Sequence, residues 1–536
     1  MNTAGIISRR TFIKTGALLG AGLYAAGNSD FALSASKNNR RFHASLSIDA
    51  LERYPDLLPT VVNAGVDAVW VAAFLQGIWQ YPPETVGVWK KRIEAAGLEV
   101  HHITVPLGHP SFTEAAPDYM GELSYQPWQR GILPDGRACY GVCIHPPACD
   151  VNAEGVKILH DAAPGMIFLD DDFRLAPSPH DIGGCFCPAH KAAFLEKHGY
   201  SENTWEEMLA AVKDRRLTAP LRNWLEDACT ELSGCFKAQQ AMLPEKSLGI
   251  MVMYMGSEKA GIRLDDYRDV PFRVGELQFN DQAFSRVKGK TDELFSVLFH
   301  RRFTLPENSY SESTAWPPDG LSPENLAAKL AISTIADVRN TMLMSGLEPY
   351  PLFYWDTLAP AMKKHRALHE TLAGHKPTGP LKHYWGDAGR WVGDSKPYSL
   401  FLATGVPFEV TEIPADDGFT FLGDGDAKAL QDGRLKPGKG LCITREKAEA
   451  PADVLRYIPE ELDALFAFKR ELLEKNRDFP YVVEDLPVIC AWYPTANLAA
   501  LWNLSENAQP LTLAYQGREY RVNASGLELV PVPLNA

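Results

Sequence analysis

The sequence predicts an α/β fold: a (β/α)8 TIM barrel, then a small α/β domain and a C-terminal antiparallel β domain. Three observations predict it. From residue 42 onward, short β-rich runs alternate with amphipathic helical ones eight times over roughly 330 residues, the rhythm of a barrel with loop insertions. No Gly-rich phosphate loop follows the first strand, as a doubly wound open sheet would favour. After about residue 378 the texture changes, and the chain ends in alternating runs such as "LTLAYQGREYRV".

The strands follow in order. "FHASLSI" is the first and is followed by a helix ending at "NAG". "VDAVWVAAF" is the second, with a helix through "VWKKRIEAAG", and "LEVHHITVPLGHP" is the third. A helix near 152–162 leads to "GMIFLDDDFRL", the fourth. "SLGIMVMYMGS" and "FRVGELQFN" are the fifth and sixth, and "ENSYSES" is a short seventh. The alanine-rich "ENLAAKLAISTIADVRNTM" predicts a helix running into "LMSG" as the eighth strand. The barrel is expected over 37–378, an α/β middle domain over 379–475 and the β domain over 476–536. A charged helix, "PEELDALFAFKRELLEKNRDF", closes the middle domain.

Residues 1–36 read as an address. "SRRTFIKTGALLGAGLYAAG" places Arg9 and Arg10 before an apolar stretch shorter than the ~20 residues of a spanning helix, the pattern of a twin-arginine export signal. A periplasmic or secreted protein is expected, with no membrane association after cleavage. Formal net charge is −14, and no basic run offers a nucleic-acid surface. A neutral or cationic small substrate fits this balance better, and a homo-oligomer stays possible.

The chemistry is concentrated at strand ends, where barrel enzymes keep their catalytic groups. Asp170, Asp171 and Asp172 stand together at the end of strand four, with Arg174 two residues on to offset their repulsion. Glu312, ending strand seven before Trp316, is the best partner across the mouth. Two such carboxylates suit glycoside cleavage, one protonating the leaving oxygen while the other attacks the sugar or activates water. Glu276 on strand six, and Asp265 and Asp266 after strand five, are weaker rivals. His109 in "PLGHP" is placed to hydrogen-bond a sugar hydroxyl, and Trp79, Tyr81, Trp316, Tyr354 and Trp355 to stack on a sugar face.

There are nine cysteines, five of them between 139 and 187. An odd count and a tight cluster favour a metal site over disulfides, although pairing within the cluster remains an alternative. Cys185, Cys187 and His190 form Cys-x-Cys-x-x-His, and zinc needs a fourth ligand from Cys143, Cys139 or Cys149.

These segments resemble a family. "CFCPAHKAAFLEKHG" is similar to the stretch after strand four in glycoside hydrolase family 42 β-galactosidases, which carry Cys-x-Cys-x-x-Cys there and often a structural zinc. "LPDGRACYGVCIHPPA" matches the stretch that supplies the family's fourth ligand, and this selects Cys143. The family's strand-four triplet ends in Asn-Glu. The resemblance therefore implies acid/base chemistry at Asp172, sugar binding at Asp171 and a nucleophile at Glu312. His190 stands for the last Cys, and Asp-Asp for Asn-Glu. Asp is one methylene shorter, which sets the acid roughly 1.5 Å back. Retaining pairs lie ~5–5.5 Å apart and inverting pairs ~6.5–9.5 Å, so the stereochemical outcome stays open.

The sequence thus predicts an exo-acting glycosidase with Asp172 and Glu312 as the working pair. Asp171, Asp170, Arg174, His109, Trp316 and Glu276 surround the substrate, and Cys143, Cys185, Cys187 and His190 hold a structural zinc. A metal-dependent sugar isomerase or epimerase would instead gather His109, Asp172, Glu276 and Glu312 on one divalent ion. A non-catalytic carbohydrate-binding protein is the third reading.

Overall fold

A computed structural model describes residues 40–75, 78–105, 130–144, 147–170, 173–178, 180–253, 255–275, 278–346, 348–393, 396–447 and 453–534. Eight parallel strands close into a barrel in sequence order: β1 (Arg41–Ser45), β2 (Ala68–Val71), β3 (Glu99–Thr104), β4 (Ile167–Leu169), β5 (Leu248–Val252), β6 (Phe272–Val274), β7 (Ser309–Thr314) and β8 (Asn340–Met344), which pairs back with β1. Strands covered on both faces are buried along their whole length, and β2, β5, β7 and β8 are. β7 is buried in spite of its polar sequence. Ser309 and Ser311 face the outer layer, where Ser311 Oγ lies 3.0 Å from Thr341 Oγ1, while Tyr310 turns inward.

The inward residues of the lower half form an aromatic floor. Trp70 and Phe168 lie 4.6 Å apart, Phe168 and Tyr310 5.0 Å, and His43 and Tyr310 5.4 Å between ring centroids. Trp70 donates its indole N–H to His43 Nδ1 at 3.0 Å, which satisfies two buried polar groups at once. Burial pushes His43 well below its ordinary value, with Arg41 adding to the effect.

Helices cover the barrel where the local sequence starts and stops them. Those used below are α1 (Ala148–Ala162), α2 (Pro188–His198), α3 (Glu202–Lys213), α4 (Ala219–Gln240), α5 (Val287–His300), α6 (Pro323–Ala328), α7 (Leu330–Ile335) and α8 (Tyr354–Leu372). α2 opens with Pro188, whose missing N–H is harmless there, and stops at Gly199 in the left-handed conformation, φ 64°. Ser201, Thr218 and Ser322 cap α3, α4 and α6 through their hydroxyls.

The eighth strand differs from expectation. The helical pattern predicted to run to residue 342 stops at Ile335, because Asp337 takes a left-handed backbone, φ 53°, and the strand begins at Asn340. The hairpin of Arg130–Ile132 with Ala138–Val142 lies outside the predicted elements, and that of Phe74–Leu75 with Ile78–Trp79 starts at the last residue of the second predicted strand.

Beyond the barrel a five-stranded parallel sheet has the order β10-β9-β11-β12-β13, where β9 is Leu381–His383, β10 Phe408–Val410, β11 Phe419–Phe421, β12 Leu441–Thr444 and β13 Leu455–Tyr457. α9 (Leu462–Lys475) is the charged helix predicted from its sequence. Two three-stranded antiparallel sheets follow. One joins Tyr481–Val482, Gln509–Tyr515 and Arg518–Ala524; the other joins Val488–Tyr493, Leu498–Asn503 and Leu529–Pro533. The barrel meets the parallel sheet through polar side chains: Arg390 bonds Glu258, and Lys259 Nζ donates to Gly393 O at 3.0 Å. No helix among the described residues is long and apolar enough to cross a membrane.

Candidate active site and metal centre

Above the aromatic floor the barrel interior turns charged. Arg273 projects inward from β6 with its guanidinium 5.2 Å from the Phe168 ring centroid and no solvent exposure. Its Nη2 bonds Asp170 Oδ1, and its Nε lies 3.1 Å from Glu312 Oε2 in an ion pair not aligned as a hydrogen bond. Burial pushes the guanidinium down from its ordinary value and Glu312 opposes that shift. Glu312 is buried, and Thr314 donates its hydroxyl to Glu312 Oε1 at 2.5 Å. Asp170 extends the β4 ladder, its N–H donating to Thr104 O at 2.8 Å.

Two of the predicted site residues, Asp170 and Glu312, are therefore brought together, by a cation the sequence did not single out. Arg174, expected to offset the aspartates, is buried, and among its partners are Ala176 O at 2.7 Å and Pro177 O at 3.2 Å, to which it donates. Arg273 supplies the charge partner of Asp170. It could have been suspected from the sequence only as an arginine in an otherwise apolar strand. Asp171, Asp172, His109 and Glu276 lie outside the described residues. Asp265 and Asp266 pair with Arg268 and Arg263 on a turn after β5.

The aromatic candidates separate by burial. Trp316 is 56% exposed at the end of β7. Tyr354 and Trp355 are core residues of α8, each 4% exposed, and Tyr354 donates its hydroxyl to Leu321 O at 2.8 Å, so they are not sugar platforms. Trp79 packs edge-on against Phe74 at 5.1 Å, and Tyr81 Oη accepts from Asp49 N at 3.5 Å.

The four predicted metal ligands converge. The ligand atoms of Cys143, Cys185, Cys187 and His190 all lie within 4.8 Å of one another, and this is the one such cluster among the described residues. Cys185 and Cys187 stand just before α2, His190 lies in its first turn, and Cys143 follows the second hairpin. His190 Nδ1 is 3.2 Å from Cys187 Sγ and 3.5 Å from Cys143 Sγ, while Nε2 lies 2.6 Å from Glu231 Oε1 on α4. Hydrogen bonding with Cys143 leads in pulling the Cys185 thiol down to about 4. Burial works against a charged His190, yet Cys185 and Glu231 push it up to about 11. So much negative charge in one buried place suits a cation. Cys149 stands outside the cluster, and the Cys139 side chain is outside the description.

No protein-family model matches the sequence, and no curated protein does. Solved structures do. The cold-adapted β-galactosidase from Rahnella sp. R3 is 12% identical, with 93% of this chain and 98% of that chain covered at a TM-score of 0.57. A GH42 β-galactosidase from G. stearothermophilus and the β-galactosidase from Bacillus circulans sp. alkalophilus are each 10% identical, with 92% and 98% covered, at TM-scores of 0.58 and 0.59. At these identities the likeness is one of fold.

Proposed function

We propose that the chain is an exo-acting glycoside hydrolase acting on a β-galactoside or a related sugar. The observation that carries this reading is Arg273 bridging Asp170 at the end of β4 and Glu312 on β7, inside the barrel and above its aromatic floor. Three structures of this fold with 98% of their chains covered carry the name β-galactosidase. Glu312 is the nucleophile and Asp172 the acid that protonates the departing oxygen. Asp171 holds the sugar, and Trp316, exposed beside the strand-seven end, stacks on the portion beyond the cleaved bond. An isomerase would need a divalent ion beside Glu312, where the guanidinium of Arg273 already supplies the positive charge.

The cysteine–histidine cluster fits zinc, which prefers four N and S ligands in a tetrahedron. Cys143, Cys185, Cys187 and His190 would hold it, with Glu231 fixing the imidazole as carboxylates do behind zinc-bound histidines. Its part is to tie the segment after the second hairpin to the start of α2. Export of the folded, metal-loaded protein by the twin-arginine route agrees with Arg9 and Arg10.

A panel of nitrophenyl glycosides and natural oligosaccharides tests the function. One or more should be hydrolysed, Glu312→Gln should lose at least ~10²–10⁴-fold in turnover on all of them, and azide should restore activity to Glu312→Gly if the reaction is retaining. Full activity of Glu312→Gln would remove it from the reaction.

A further inference from the structure

Glu293 on α5 and Lys329 between α6 and α7 form an ion pair with Nζ and Oε1 3.0 Å apart, each side chain 1% exposed. A pair this deep is a poor stabilising device, because desolvating both charges offsets most of their attraction. Glu293 Oε2 makes no hydrogen bond among the described residues, so the carboxylate is not fully satisfied there either. What the pair does grip is the backbone of Gln278, on both sides of its Cα. Gln278 N–H donates to Glu293 Oε1 at 3.2 Å, and Lys329 Nζ donates to Gln278 O at 2.7 Å.

Gln278 belongs to the segment that follows β6, and that segment is laced to the one that follows β7. Trp316 N–H donates to Phe279 O at 2.9 Å, and Asp281 N–H to Gly320 O at 2.9 Å. Asp281 Oδ1 accepts from Ser322 N at 2.9 Å, from Ser322 Oγ at 3.1 Å and from Asn325 Nδ2 at 2.8 Å. The turn closes at Gly320, where a Cβ would come within 2.7 Å of Trp316 O. The two segments are therefore tied together, with exposed Trp316 at one end of the lacing and the buried ion pair at the other.

We infer that Glu293 and Lys329 are positioning residues that set where Trp316 stands over the barrel mouth. The inference rests on the glycosidase reading for the role of Trp316, but not for the grip itself. The pair acts, through Trp316, on the portion of the substrate beyond the cleaved bond.

Lys329→Met, Lys329→Gln and Asp281→Ala in the full-length protein test this, with two readouts. Lys329→Met should raise KM for a disaccharide by about 10-fold or more with kcat within about 3-fold, while Lys329→Gln, which keeps an N–H for Gln278 O, should stay near wild type. Acrylamide quenching of Trp316, taken as the difference from the matching Trp316→Phe variant, should increase in Lys329→Met and not in Lys329→Gln. Asp281→Ala unlaces the segments from the half-buried side and should reproduce the Lys329→Met result even if Lys329→Met does not fold. A purely structural pair would lower Tm and move neither KM nor quenching. Unchanged quenching in Asp281→Ala, or in a folded Lys329→Met, overturns the inference. If the wild type cleaves no glycoside, it is the functional reading that fails, and quenching still decides the grip.

Discussion

Arg273 Nε stands 3.1 Å from Glu312 Oε2 while the same guanidinium bonds Asp170, so one fully buried cation serves carboxylates from two strands. The three groups together carry one net negative charge in a site closed from below by aromatic rings. Removing either type of partner leaves like or unmatched charges out of reach of water, where the cost is large.

Arg273→Met should therefore reduce kcat by ~10²-fold or more on every accepted glycoside, the scale of losing one preorganised electrostatic partner. Arg273→Lys should recover part of it, since an ammonium restores the charge but not the planar fork that reaches two acceptors. Steady-state kinetics on proteins with unchanged circular dichroism check this. Wild-type turnover in Arg273→Met would show that the arginine only fills the barrel.

Asp172→Asn should show a leaving-group dependence that Glu312→Gln lacks. An acid matters least when the leaving group departs unaided, so Asp172→Asn should retain more activity on a nitrophenyl glycoside than on a natural one. Glu312→Gln should lose both alike. Asp171→Asn should be milder than either. An inactive Asp171→Asn beside a normal Asp172→Asn would shift the roles along the triplet by one residue.

Protein purified without a polyhistidine tag should contain about one zinc per chain. Chelation should lower Tm without unfolding the barrel, because the metal would join two segments of an already large core. Glu231→Gln should weaken zinc retention ~10–100-fold, the usual effect of altering the partner behind a ligating histidine. Elemental analysis and competition with a chromogenic chelator measure both. Disulfides mapped to Cys185 or Cys187 would exclude the site.

Acid should destabilise the fold before the carboxylates titrate. Burial pulls His102 and His300 down to about 4, and His365 and His383 to about 3. Between those values and the ordinary 6.5 the unfolded chain binds protons that the folded chain refuses. Stability thus rises with pH across that window and is lost on acidification, by about 1.4 kcal/mol per pH unit for each histidine. His383, which lies 2.8 Å from Phe295 O through Nε2, offers a single-site check. His383→Gln should flatten the slope of urea midpoint against pH by about one proton between pH 4.5 and 6.5.

How much of this was visible in the chain follows from where each interaction sits in sequence. Three of the four metal ligands lie within six residues, so their chemistry shows as a motif, and the apolar runs of parallel strands show as continuous blocks. Arg273 acts on a residue 103 positions away, and no local pattern announces that. The sequence pattern places the eighth strand late because the alanine-rich periodicity runs smoothly toward it. The stop at Asp337 is a backbone conformation, fixed by contacts from Arg339, His369 and Gly374 N, and not a breaker residue. Tyr354 and Trp355 share the aromatic character of Trp316. Only the packing of α8 shows that they turn inward while Trp316 remains at the surface.

The layer of His43, Trp70, Phe168 and Tyr310 makes the barrel a well with a solid bottom. On the proposed function, a substrate held above that floor would enter and leave by the same end of the barrel. The portion released by cleavage would then have to clear that end before the next substrate could be seated. On the exo-acting reading proposed above, the substrate would present its end to such a well. Its speed would be set as much by how readily the opening empties as by the carboxylates at its base.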